Sequence, residues 1–195
     1  MLPPHVEVKC RISNYRRHKK FNPKLVEKVL EQVEEHESEY VVSNVSKEAR
    51  ELFKRSREVG WESRYAIQYL RFKEGDDFLV SEAEFEHDVI DLILPHFMDR
   101  FPSKKIVIVS AGKAHVGKHG EIWTEDTKKY SKALAKQNEP EEDWERFYNS
   151  QYLEARRNRR LAMKAVPKKL WKKFNISEGV KIDKGIEAVT LQDYI

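Results

Sequence analysis

The chain has 195 residues, with 37 Lys plus Arg against 33 Asp plus Glu, a formal net charge of +4, 39% hydrophobic residues and 11% aromatics. That composition fills a sizeable core, which excludes wholesale disorder and a small stapled scaffold. A single cysteine, Cys10, excludes an internal disulfide framework or a paired zinc-finger site. No stretch approaches the roughly eighteen apolar residues of a membrane span, and Met1-Leu2-Pro3-Pro4-His5 lacks a signal-type apolar core, so a cytoplasmic protein is expected.

In chain order, Val6 to Ile12 alternates weakly and predicts a short strand, followed by the basic run Tyr15-Arg16-Arg17-His18-Lys19-Lys20. Asn22-Pro23 reads as an N-cap and first-turn proline, opening a helix with Leu25, Val26, Val29, Leu30 and Val33 at three- and four-residue spacing. A second helix is expected from Ser46 to about Val59, ended by Gly60. Tyr65 to Phe72 and Phe78 to Ala83 predict a hairpin, although the first arm also fits the end of a helix. Glu84 to Phe101 carries the strongest helical pattern, with Pro95 predicting a kink. Ile106 to Val109 reads as a buried strand, with Glu121 to Trp123 pairing back to it across a Gly-rich loop. Helices are expected at Glu125 to Gln137, Glu141 to about Lys164, and Pro167 to Phe174. These elements add up to an α+β fold, a helix-dominated single domain with a small antiparallel sheet.

The charges are segregated. Residues 1–20 carry +5, 21–60 −2, 61–101 −6, 102–138 +5, 139–154 −5, 155–173 +9 and 174–195 −2. The +9 block consists of Arg156, Arg157, Arg159, Arg160, Lys164, Lys168, Lys169, Lys172 and Lys173, with no acid among them. On a helical wheel Trp144, Tyr148, Gln151, Ala155, Asn158 and Ala162 share one side, and Arg156, Arg157, Arg160 and Lys164 the other. The acidic start of this helix and its basic end suit the macrodipole, which explains part of the charge without a ligand. Nine cations exceed what a last turn requires, and Trp171 adds an aromatic. A polyanion, which releases counterions when Lys and Arg neutralise its phosphates, is the natural partner.

The Gly-rich segment Gly112-Lys-Ala-His115-Val-Gly117-Lys118-His119 places GxxxxGK after an apolar strand, as a phosphate loop does. It lacks the Ser or Thr after the lysine and the following helix, so a hairpin loop is the better reading. His115 and His119 would share a face only in a helix, which two glycines oppose, and no metal or cofactor is expected.

Several pieces resemble a known family: Tyr69-Leu70-Arg71-Phe72; Glu86-His87-Asp88-Val89-Ile90 with Pro95-His96-Phe97-Met98-Asp99-Arg100-Phe101-Pro102; Phe147-Tyr148; Arg156-Arg157-Asn158-Arg159-Arg160-Leu161; and Pro167-Lys168-Lys169-Leu170-Trp171-Lys172. The family is an uncharacterised one labelled probable DNA metabolism proteins, whose domain occurs fused to a uracil-DNA glycosylase or encoded beside a radical-SAM protein proposed to act in DNA repair. The resemblance covers roughly residues 62 to 173 and places Arg71, Asp88, His96, Arg100, Tyr148, Arg156, Asn158, Pro167 and Trp171 at motif positions. It implies a core domain over 61–175, preceded by an N-terminal strand and helices over 1–60 and followed by a tail over 176–195. Ser110 and Ala111 stand where the family tends to have an Asp, Ala162 replaces a usual Gln, and the glycosylase signatures are absent. The tail Thr190-Leu191-Gln192-Asp193-Tyr194-Ile195 resembles the end of a sliding-clamp interaction peptide, with Leu191, Tyr194 and Ile195 as the partner-binding residues and Ala188 in place of the leading Gln.

The expectation is a DNA-binding protein of DNA repair or metabolism, gripping nucleic acid through Arg156, Arg157, Arg160, Lys164, Lys168, Lys169 and Lys172, and recruited by the clamp. A second reading is an enzyme on damaged or modified bases, glycosylase-like, with Asp88, His96, Arg100, Tyr148 and Asn158 converging on a base-sized pocket. A third is an RNA- or ribosome-associated protein, because basic helices with aromatics do not distinguish the two nucleic acids.

Overall fold

The computed structural model describes residues 2–135 and Lys173, so the helices expected beyond residue 137 and the C-terminal tail lie outside the described residues. The described chain runs α1 (Pro4–Arg16), α2 (Pro23–Val42), α3 (Lys47–Tyr69), β1 (Lys73–Glu74), β2 (Phe78–Glu82), α4 (Ile90–Arg100), β3 (Lys105–Ser110), β4 (Lys113–Lys118), β5 (Glu121–Glu125), a 3-10 turn (Thr127–Tyr130) and α5 (Ser131–Ala135). It is an α+β fold with a small sheet, divided into two compact units. One comprises residues 1–68 and 85–100, the other residues 69–84 and from 101 onward.

The first unit is helical. Val6 to Ile12 is part of α1 rather than a strand. The buried residues are Val8, Ile12 and Tyr15, at four- and three-residue spacing, while Cys10, which completed the apparent alternation, is exposed. Asn22 caps α2 as expected, its side chain accepting from the Lys24 N–H at 3.1 Å. The helix breaks at Glu37, which sits at φ 68°, ψ 170°. Ser46 caps α3, accepting from the Ala49 N–H at 3.0 Å. Gly60 does not end α3, which continues to Tyr69, because Val59, Glu62 and Ala66 keep the helix buried past it. Residues from α1, α2 and α3, among them Tyr15, Val29, Val41 and Leu52, form one apolar cluster.

α4 is shorter than its pattern, starting at Ile90 rather than Glu84. The backbone N–H groups of Glu86 and His87 donate instead to the buried Glu62 carboxylate, both at 2.8 Å, and that of Asp88 to the Arg17 carbonyl at 3.0 Å. Hydrogen bonds to distant residues have taken the first turn that the apolar spacing predicted. Pro95 lies inside the helix, and Ile93, Leu94 and Phe97 are buried on its inner side.

The second unit is built on a five-stranded sheet in the order β1-β2-β3-β4-β5. A hairpin forms with β2 as its second arm, but its first arm is not Tyr65 to Phe72: residues through Tyr69 belong to α3, and β1 is the short Lys73–Glu74, which the sequence pattern places in the connecting loop. Three pairings are antiparallel, and β2 with β3 is parallel, a connection long enough to need the crossover that contains α4. Glu121 to Trp123 does not pair with β3, because the segment read as a loop is itself β4 and stands between them. Val80, Val107, Val109, Ala114 and Val116 share one face and pack with Tyr130. The single helix expected over Glu125 to Gln137 is a 3-10 turn followed by α5, with Asp126 accepting from the Lys128 N–H at 3.0 Å as its cap.

Candidate functional site

Three of the five candidate catalytic residues fall within the described chain. Asp88, His96 and Arg100 are all exposed. His96 and Arg100, four apart on α4, share one side of the helix, while Asp88 precedes the helix by two residues. Tyr148, Asn158 and the nucleic-acid-binding candidates Arg156, Arg157, Arg160, Lys164, Lys168, Lys169 and Lys172 lie outside the described residues, as do Leu191, Tyr194 and Ile195.

The GxxxxGK segment is resolved as strand β4 with a tight turn at each end. Ser110 pairs with Lys113 and Lys118 with Glu121, leaving two-residue loops, Ala111-Gly112 and His119-Gly120. All four loop residues have positive φ, 49° and 75° in the first loop, 51° and 85° in the second. That is the geometry of type I′ turns, which need a residue tolerant of the left-handed region at both positions. The glycines serve hairpins and cradle no phosphate. His115 lies in the strand and His119 in a turn.

A cluster that the sequence reading missed joins α3 to the loop after α1 and to the segment before α4. His18, Glu58 and His87 place one side-chain ligand atom each within 4.8 Å of one another, the one such group that could hold a metal ion among the described residues. His18 is 5% exposed, and its ring stacks on that of His87 at 4.5 Å between centroids. The protons decide what this arrangement can do. The Lys20 N–H donates to His18 Nδ1 at 3.0 Å, so the ring proton sits on Nε2 and is donated to Glu58 at 2.9 Å. The Lys19 N–H points at His87 Nδ1 at 3.3 Å. A metal-bound imidazole normally donates its second N–H to an acceptor, whereas here that second nitrogen faces a donor in both rings. Ligation through Nε2 would set two N–H groups against each other, so the cluster fits a hydrogen-bonded latch better than a metal centre. Burial pushes the His87 pKa below its ordinary value against the opposing pull of Glu62, which favours the neutral ring.

Two further contacts fasten the same region. Arg17 clasps Asp91 through Nε, at 3.0 and 2.9 Å to the two carboxylate oxygens, and through Nη2 at 2.5 Å. This hydrogen bonding raises the guanidinium pKa above its already high ordinary value. Lys19 Nζ meets Glu86 at 2.5 Å. The members come from three separate stretches, residues 17–19, Glu58 and residues 86–91, so their convergence is not visible in the sequence.

In the second unit a recess of about 400 Å³ opens at the carboxyl ends of the parallel strands β2 and β3. Glu82, Glu84, Ser110, Thr127, Lys128 and Ser131 are among its lining residues. Open α/β sheets place ligands at such strand ends. Ser110 supplies a hydroxyl to it, and Asp88, His96 and Arg100 are not part of the lining.

The profile of a family described as a domain of unknown function (DUF4130) matches residues 21–175. The chain belongs to this family. The match begins one residue before the cap of α2 and continues beyond the basic block of residues 155–173, so both compact units fall largely inside it. No curated protein and no solved structure matches the sequence.

Proposed function

We propose that this family member is a DNA-binding protein of DNA repair or metabolism, acting in the cytoplasm. It grips nucleic acid through Arg156, Arg157, Arg160, Lys164, Lys168, Lys169 and Lys172 and is recruited by a sliding clamp through Leu191, Tyr194 and Ile195. The observation that carries this reading is the block of nine cations without an acid at residues 155–173, inside the stretch matched by the family. Such a block answers a phosphate backbone through counterion release, and Trp171 offers a stacking surface beside it. The resemblance to chains fused to a glycosylase, or encoded beside a radical-SAM repair protein, supports a role as the DNA-holding partner of such an enzyme.

The test is retention on DNA across a salt series. Replacing Arg156, Arg157, Arg160 and Lys164 with Glu is expected to abolish retention at physiological salt and flatten the salt dependence, and unchanged affinity would sink the proposal. Competition with structured RNA decides between DNA and a ribosome- or RNA-associated role. A clamp pull-down with and without the last six residues tests the recruitment half.

A further inference from the structure

Helix α3 (Lys47–Tyr69) turns one face into its own unit and another outward. At 3.6 residues per turn, Lys47, Arg50, Lys54, Arg57, Trp61 and Arg64, spaced three and four apart, fall within roughly a third of the helix circumference. All six are exposed, Trp61 to 58%. Among the described residues none of the five cations makes an ion pair or a side-chain hydrogen bond. The four carboxylates of the helix are occupied elsewhere: Glu48 by Gln32, Glu51 by Arg55, Glu58 by His18, and Glu62 by the N–H groups of Glu86 and His87. The row itself holds no acid, and the half-exposed Glu51 and Glu58 that border it, four residues after Lys47 and Lys54, are engaged by Arg55 and His18.

Like charges three and four apart on a helix repel by a few tenths of a kcal/mol per pair, and ordinary solvated helices intersperse acids to avoid this. A row of five without an acid is relieved of this repulsion when something negative lies along it. The row rises by about 5 Å per step over roughly 26 Å, a spacing and length suited to successive phosphates of an extended strand. Arg, which forks onto phosphate oxygens, supplies three of the five cations. Trp61 stands between Arg57 and Arg64 with its ring in solvent, where an unpaired base can stack on it. A lipid surface fits poorly, because the apolar residues of α3, including Leu52, Phe53 and Val59, are buried in the unit and cannot enter an acyl layer.

We propose that the outward face of α3 is a binding site for single-stranded nucleic acid, with Lys47, Arg50, Lys54, Arg57 and Arg64 on successive phosphates and Trp61 stacked on a base. It uses residues separate from the 155–173 block and rests on the function proposed above only in sharing its class of partner.

The experiment uses the full chain and a fluorescent thymidine oligonucleotide of about twenty nucleotides, compared with a duplex of the same length, over a salt series. Five phosphate contacts on a single strand contribute about 0.7 each to the slope of log affinity against log salt. Neutralising the row, as Lys47→Gln, Arg50→Gln, Lys54→Gln, Arg57→Gln and Arg64→Gln together, is expected to reduce that slope by roughly 3 to 4 and to weaken binding on the order of a hundredfold. The five side chains are exposed and make no ion pair or side-chain hydrogen bond among the described residues, so circular dichroism of this variant should match the parent. Trp61→Ala is expected to cost fivefold to a hundredfold on the single strand and little on the duplex, with Trp61→Phe retaining most of the binding.

An unchanged slope in the folded five-residue variant would overturn the proposal, as would equal losses of Trp61→Ala on both forms of DNA. Competition by phosphatidylserine vesicles as effective as that by unlabelled oligonucleotide would also overturn it. The Arg156, Arg157, Arg160 and Lys164 charge reversal separates the two readings. Loss in that variant alone leaves the block as the site and removes α3, and loss in the α3 variant alone does the reverse.

Discussion

Each unit is pinned by a carboxylate, and the two do it differently. Glu62, 7% exposed, accepts the backbone N–H groups of Glu86 and His87, residues 24 and 25 positions away, and so anchors the approach to α4 against α3. Glu125, at the end of β5, collects the Trp123 indole N–H at 2.9 Å, the Lys129 ammonium at 3.0 Å and the Tyr130 hydroxyl at 3.0 Å. Those partners lie within five positions. One carboxylate joins distant chain segments, and the other closes a local corner that seats Tyr130 under the sheet. The difference decides both what breaks when each is removed and how much of each could be read in advance.

The largest effect is expected at Glu62. Glu62→Ala leaves two partly buried N–H groups without their acceptor, and a loss of about 2–3 kcal/mol in denaturant-induced unfolding is expected. A loss below about 0.5 kcal/mol would show that water replaces the carboxylate and that the anchor is dispensable.

Glu125 comes next. Its donors, led by Trp123 and Lys129, hold the carboxyl pKa down at about 2, against an ordinary 4.5. The folded pKa is depressed, so the stabilisation is present above about pH 4.5 and is lost as pH falls toward 2. Solvent screening at this partly open corner limits its size to about 1–2 kcal/mol. Glu125→Gln is expected to lower stability by that amount at pH 7 and to flatten the acid limb between pH 4.5 and 2, measured by urea unfolding as a function of pH. A parallel acid limb in both proteins would contradict the assignment.

The smallest effect has the opposite sign. A Cβ added at Gly60 would meet nothing within 4 Å. Gly60→Ala inside α3 is therefore expected to raise stability by about 0.5–1 kcal/mol through lower backbone entropy in the unfolded chain. Destabilisation would mean that the glycine serves a bend in the helix.

Legibility followed the same divide. Features set by neighbours in sequence were readable: the Asn22-Pro23 start of α2, the start of α3 at Ser46, strand β2 and the buried strand β3. Features set at long range were not. The apolar face of Glu84 to Phe101 is helical in its spacing, yet Glu62 and Arg17 claim the first N–H groups, and no local signal reports that. Ala111-Gly112 and His119-Gly120, eight residues apart, do carry the signal of two tight hairpins rather than of the single Gly-rich loop expected between β3 and Glu121. The cationic row on α3 was hidden for two reasons. Four of its five cations lie in the 21–60 block, whose net charge is −2, and a helix ended at Gly60 excludes Trp61 and Arg64 from the wheel. Among the site residues, the positions of Asp88, His96 and Arg100 along the chain were legible while their exposure was not, because burial depends on what packs against α4.

The pairing pattern of the sheet also orders its assembly in time. Strands β3, β4 and β5 are joined by two-residue turns, so their ladders close almost without loop entropy and can form on the microsecond scale of a hairpin. The parallel partner β2 reaches β3 only after the whole stretch from Ala83 to Lys104, α4 included, has been gathered in. The meander is thus expected to be the early, self-sufficient part of the sheet, with β2 docking onto a template already made. Pulse-labelled hydrogen exchange in which β2 gains protection before β4 would reverse that order.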